Sequence, residues 1–270
     1  MASLNRDHDS ARNAAAASRV RRRWAVACES LGVTKAREEA WWLLIEAGYG
    51  EAHRHYHTLV HIDAMLALAS EHGDVLRDSV AVDLAIIFHD IVYDAVKGGG
   101  GRNERESAQR FVEFAEGCTG LPKDRVAKVV RWIALTWTHK CEDIDGDGRL
   151  FMDFDMAILG SGPIEYARYA RNVRREYAHV NWLFWRLGRS QFLVGSTSTK
   201  VFATARFAPR EAAARANARA EARKLRLELL AAGCGAIASL VVGSRVMFSY
   251  LQLHGAVAPT ACPLTSDTAQ

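Results

Sequence analysis

The sequence is short of proline, with five in 270 residues, and of any sustained apolar–polar alternation. Those two shortages speak against a β-sandwich or barrel. Cysteine is sparse as well. Cys28, Cys118, Cys141, Cys234 and Cys262 are odd in number, widely spaced and form no CxxC. That fits a reduced intracellular setting better than a disulfide scaffold, with the cytoplasm as the expected location. Strong charge of one sign is missing. Lys and Arg number 35 against 31 Asp and Glu, a net charge of +4 spread along the chain, so nucleic acid is not an expected partner. The N-terminus lacks a secretory apolar region, and residues 1–19, rich in Ala, Arg and Ser, read as a disordered leader.

Long apolar runs are lacking too. The stretch Leu229–Ser244 carries no formal charge, but it is shorter than the ~20 residues of a bilayer span and is followed by Arg245. Residues 229–270 therefore read as an apolar helix and flexible tail. Burial or partner binding is favoured there over membrane contact through 229–253, because an Arg inside a span is costly.

What is present is helix-forming. Apolar residues make up 49% and charged residues 24%, the balance of a soluble globular chain. Thr34 can cap a helix with Trp41, Leu44 and Ile45 on its stripe, and Thr58 one with Ile62, Met65 and Leu66. Ser79 precedes a run, Val80 to Val92, that is apolar nearly all round and predicts a buried helix containing His89 and Asp90. Asn103 with Glu106 matches a capping box, and Pro122 suits a first helical turn. Residues 140–150 read as a polar loop, and Pro209 opens a long helix to about Leu230. The expected fold class is all-α.

Histidine is unevenly placed. Four of the ten, His53, His55, His57 and His61, fall close together. His57 and His61 are four apart, which puts them on one face if both are helical. His89-Asp90 pairs an imidazole with a carboxylate in an apolar segment, where an acid is rarely buried unless paired or metal-bound. His139 follows Thr136-Trp-Thr, and Asp153 and Asp155 come next. Imidazoles and carboxylates gathered in a helical bundle suit a divalent metal.

The order His…His-Asp…Asp resembles the HD-domain superfamily of metal-dependent phosphohydrolases, in the branch described as predicted metal-dependent HD superfamily phosphohydrolases. The stretches that carry the resemblance are Arg54-His-Tyr-His-Thr-Leu-Val-His61, Phe88-His-Asp-Ile-Val-Tyr-Asp94, Asn103-Glu-Arg-Glu-Ser-Ala108 and Phe151-Met-Asp-Phe-Asp-Met-Ala-Ile-Leu-Gly160. Weaker echoes lie in Arg174-Arg-Glu-Tyr-Ala178 and Ala214-Arg-Ala-Asn217. It implies an HD helical bundle over 20–228. It also implies metal ligands at His61, His89, Asp90 and Asp155, with Asp153 as the alternate and His139 as a further candidate. The expected ion is Mn, Mg, Fe, Co or Zn. Tyr56-His-x-x-x-His61 is similar to the signature of the cyclic-nucleotide phosphodiesterases, which makes His57 the proton donor to the leaving oxygen.

The resemblance further implies that Asp90 binds metal and orients the nucleophile. Glu104 and Asn103 would hold waters or substrate, and Arg54, Lys140 and Arg174 would clamp phosphate. The expected activity is hydrolysis of a phosphomonoester, phosphodiester or phosphoanhydride, foremost of a nucleotide. The alternatives are a non-catalytic HD protein that binds a nucleotide or partner, and, further off, an HD-type iron oxygenase. Only His139 lies between the His-Asp pair and the last Asp. That favours one tightly held metal or an incomplete second site.

Asp143-Ile-Asp-Gly-Asp-Gly148 matches the first half of an EF-hand loop. Phe154 stands where the bidentate Glu belongs, so Asp143, Asp145 and Asp147 are not expected to hold calcium.

Overall fold

The computed structural model describes residues 2–233, with the side chains of residues 11–233. It is all-α, with no strand among the described residues. The helices are α1 (Ala2–Ser30), α2 (Lys35–Tyr49), α3 (Leu59–Glu71), α4 (Ser79–Phe88) and α5 (Arg102–Ala115). They continue with α6 (Lys123–Leu135), α7 (Gly146–Met156), α8 (Pro163–Glu176), α9 (Trp182–Ser196) and α10 (Glu211–Ala231). Short 3-10 turns follow α7 (Ala157–Gly160) and precede α10 (Ala205–Arg210). No helix among the described residues is long and apolar enough to cross a membrane.

Helix α4 is the axis of the fold. Every residue from Ala81 to Phe88 is buried, and the helix touches α1, α3, α5, α6 and α7. A helix apolar on all sides finds its free energy minimum only when surrounded. Its last ring, Phe88, meets Trp24 of α1, Trp41 of α2, and Phe111 and Phe114 of α5 at centroid distances of 5.4–6.0 Å. Each such aromatic side chain contributes about 2–3 kcal/mol on burial. Thr34 and Thr58 cap α2 and α3 by accepting from the Arg37 and Val60 N–H groups.

Four local expectations are corrected. Residues 2–19, expected as part of a disordered leader, are helical. Helix α1 runs through them because Ala14–Ala17 are strong helix formers. Ala16, Val20 and Trp24, spaced by four, are fully buried, and Arg19 and Arg23 bond Asp63 and Asp83. The boundary expected after residue 228 falls inside α10, where Leu229 is buried. Beyond residue 233 the expected tail lies outside the described residues. Helix α4 stops at Phe88, so His89 and Asp90 sit past its end rather than within it. Finally, Asn103 does not cap α5. Gly101, at φ +73°, occupies that position, and Glu106 pairs with Arg102 instead.

The EF-hand-like segment is the start of α7. Asp145 caps that helix by accepting from Gly148 N–H. Asp147 is buried and accepts from the Arg77 and Asp78 N–H groups, while Asp143 is exposed near Arg131. The three carboxylates thus turn to different partners. The glycine at 148 answers a packing need, since a Cβ there would lie 2.3 Å from the Trp132 indole nitrogen. Gly148→Ala is expected to lose about 1–3 kcal/mol of stability, read from a denaturant midpoint.

Candidate metal centre

The centre is built where three helix ends meet. Segment 54–58 leads into α3 and places His57 just before the helix and His61 in its first turn. The end of α4 delivers His89 and Asp90. The end of α7 delivers Asp155. One ligand atom from each of His61, His89 and Asp90 can be chosen so that all lie within 4.8 Å of one another, a spacing that could hold a metal ion. Asp155 joins them, with Oδ1 3.2 Å from His61 Nε2 and 3.8 Å from His89 Nε2.

The ring orientations are fixed from behind. His89 Nδ1 lies 2.9 Å from the Ile86 carbonyl, which can only accept, so Nδ1 carries a proton and, in the neutral ring that a metal would need, Nε2 presents the lone pair. His61 Nδ1 meets the Tyr56 hydroxyl at 3.2 Å. Both Nε2 atoms are buried against carboxylates, His61 Nε2 3.2 Å from Asp155 Oδ1 and His89 Nε2 3.0 Å from Asp90 Oδ2, without a well-aligned hydrogen bond. Buried donor atoms without partners are costly unless a ligand uses them. The donor set of two imidazoles and two carboxylates fits a divalent ion of the Mn, Fe, Co or Zn kind.

Electrostatics couple these groups. Burial disfavours a charged His89, but Asp90 and Asp155 outweigh it and its pKa is pushed up to about 9. Burial would likewise raise the Asp90 and Asp155 carboxyls. The neighbouring histidines outweigh it and hold both below the ordinary range. His139 closes the other side. Its Nε2 lies 2.9 Å from Asp155 Oδ2, and its backbone has φ +51°, a left-handed conformation that costs a side-chain-bearing residue about 1–2 kcal/mol.

Asp153 is elsewhere. It accepts from Ala203 N–H, Thr204 N–H and the Thr204 hydroxyl, and so organises the chain ahead of α10. Asp153→Ala is expected to lower stability by about 2 kcal/mol while leaving metal retention intact. Asp155→Ala is expected to do the reverse. Thermal melting beside elemental analysis of the purified variants checks both.

His57 belongs to a second group. Its Nδ1 is 2.7 Å from Glu176 Oε2, and its ring stacks on Tyr93 at 4.1 Å. Glu176, at the end of α8, is buried and also accepts the N–H groups of His55, Tyr56 and His57 and the Tyr93 hydroxyl. Burial opposes the charge on both partners, yet each sustains the other. The His57 pKa is raised, and that of Glu176 is lowered to about 2. Glu176 has no role in the sequence reading. The one available signal is that it sits in the faint echo around Arg174, and nothing local marks it out.

His57, His89, Asp90, Glu104, His139 and Asp155 share one cavity of about 190 Å³. Burial pushes the Glu104 carboxyl up to about 7, and its Oε2 is buried without a partner. No protein-family model, curated protein or solved structure matches the chain.

The four expected substrate binders are placed differently. Arg54 is buried and donates to the carbonyls of His57, Asp90 and Ile91 and to Glu51. Arg174 donates to the Tyr177 and Val180 carbonyls and lies over Trp185. Asn103 accepts from Asp94 N–H and steadies the loop after the His-Asp pair. Lys140 is exposed and does not line the cavity. The two arginines serve backbone carbonyls, a use of guanidinium that composition cannot distinguish from phosphate binding.

Proposed function

We propose that the chain is a metal-dependent phosphohydrolase. The observation that carries this reading is the convergence of the buried Nε2 atoms of His61 and His89 with the carboxylates of Asp90 and Asp155, at a spacing that could hold a metal ion. A divalent ion held by His61, His89, Asp90 and Asp155 would supply Lewis-acid polarisation of a phosphoryl oxygen and a water of lowered pKa. His57, with Nδ1 engaged by Glu176, keeps Nε2 for the cavity and donates a proton to the leaving oxygen there. Glu176 holds that ring in one orientation and sustains its positive charge. Glu104, near neutrality and facing the same cavity, exchanges a proton with the attacking water through its carboxyl.

The test is a panel of phosphomonoesters, phosphodiesters and nucleotides with added Mn, Mg, Co or Ni, run on the wild type and His57→Ala. Metal-dependent phosphate release that falls about 100-fold in the variant is expected. A wild type inert with every metal, yet tightly binding one of the panel, would instead indicate a binding protein.

A further inference from the structure

We propose that this site takes a phosphomonoester whose alcohol is a flat, uncharged ring system, and that it turns away di- and triphosphates. This rests on the phosphohydrolase reading above and narrows it. Two features of the cavity carry the proposal.

The first is its aromatic wall. Helices α8 and α9 contribute Tyr169, Val173, Trp185 and Phe192, opposite the imidazoles and carboxylates supplied by α3 to α7. Arg189 lies over Tyr169 and Phe192 at 5.3 and 5.4 Å, and Arg174 over Trp185 at 5.2 Å, so one side of each ring is backed by a guanidinium while ring surface still lines the cavity and packs against planar ligands. The second is charge. Among the described residues lining the cavity, Arg189 is the one guanidinium or ammonium group. It is already bonded to Glu221 at 3.0 and 3.3 Å and to the Tyr169 hydroxyl at 3.2 Å. The acids on the opposite side, Asp90 and Asp155, balance one divalent ion. One phosphoryl group therefore finds its countercharge in that ion. His57 is committed to the leaving oxygen, so a second phosphate would stand among rings and carboxylates without a further cation, and unpaired charge in a partly closed site is costly. Sites that bind polyphosphates place Lys, Arg or backbone nests along the chain of phosphates.

The experiment uses the full chain with Mn. kcat/KM is measured for 2-(1-naphthyl)ethyl phosphate against glycerol 3-phosphate, both esters of primary alcohols, and for AMP against ATP. A ratio of at least about tenfold in favour of the first member of each pair is expected, since one stacked ring is worth roughly 1–3 kcal/mol. Phe192→Ala is expected to cut the naphthyl-to-glycerol ratio about tenfold. This residue is half-buried, so the variant keeps the core. Equal turnover of ATP and AMP, or of the glycerol and naphthylethyl esters, would overturn the proposal and leave the phosphohydrolase reading standing. If no ester is turned over, that reading falls, and calorimetry with Mn decides the proposal alone. Tighter binding of 1-naphthylphosphonate than of methylphosphonate, and of phosphate than of pyrophosphate, would sustain it; the absence of either preference would sink it.

Discussion

Asp90→Ala is expected to purify folded and without a bound metal ion. The substitution removes one of the three atoms that define the centre and leaves His89 Nε2 without its 3.0 Å carboxylate neighbour. The turn survives because Arg54 holds the Asp90 and Ile91 carbonyls, not the side chain. Loss of one ligand is expected to lower metal affinity at least about 100-fold, and hydrolysis falls at least as far. Circular dichroism establishes the fold, and elemental analysis after gel filtration reads the metal. A variant that keeps stoichiometric metal would remove Asp90 from the ligand set.

Glu176→Gln is expected to reduce kcat by about 10²–10⁴-fold with metal content unchanged. The amide can still accept from the N–H groups of residues 55–57, but it no longer offsets charge on His57. The His57 pKa then falls, so the alkaline limb of the pH–rate profile moves to lower pH. Stability responds as well, because breaking a buried pair costs on the order of 3 kcal/mol. The pH window follows from the two shifts. Glu176, lowered from 4.5 to about 2, stabilises fully above 4.5, and this is lost as pH falls through about 2. His57, raised above 6.5, stabilises fully below 6.5, and this is lost as pH rises through its folded value. The difference in stability between wild type and variant is therefore expected to be greatest between about pH 4.5 and 6.5. Urea titrations across pH measure it. A variant with wild-type kcat and an unmoved alkaline limb would rule out His57 as the proton donor.

How much of this was legible in the sequence depends on whether a residue's partner is local. Helix class and caps were legible, since Thr34 and Thr58 act within two or three residues. His89-Asp90 was legible because a polar pair in an apolar run stands out. Glu176 was not. It lies 119 residues from His57, on a helix whose neighbouring Arg174 and Arg175 look like an ordinary solvated face. The reverse error befell Arg54, where a cation beside histidines reads as a phosphate clamp until its burial is known. Asn103 misled in another way. Its spacing to Glu106 satisfies a capping box, yet the left-handed Gly101 starts the helix and frees the amide for Asp94.

Arg54 has a wider consequence. One rigid guanidinium grips the His57 carbonyl on one side and the Asp90 and Ile91 carbonyls on the other. Tyr49 and Tyr93 flank it at 5.2 and 5.6 Å and keep it from swinging. The segment that carries His57 and the segment that carries Asp90 are thus bolted to a common plate. Their separation is a machined tolerance, and an error of ~1 Å in such an alignment can cost about 100-fold in rate.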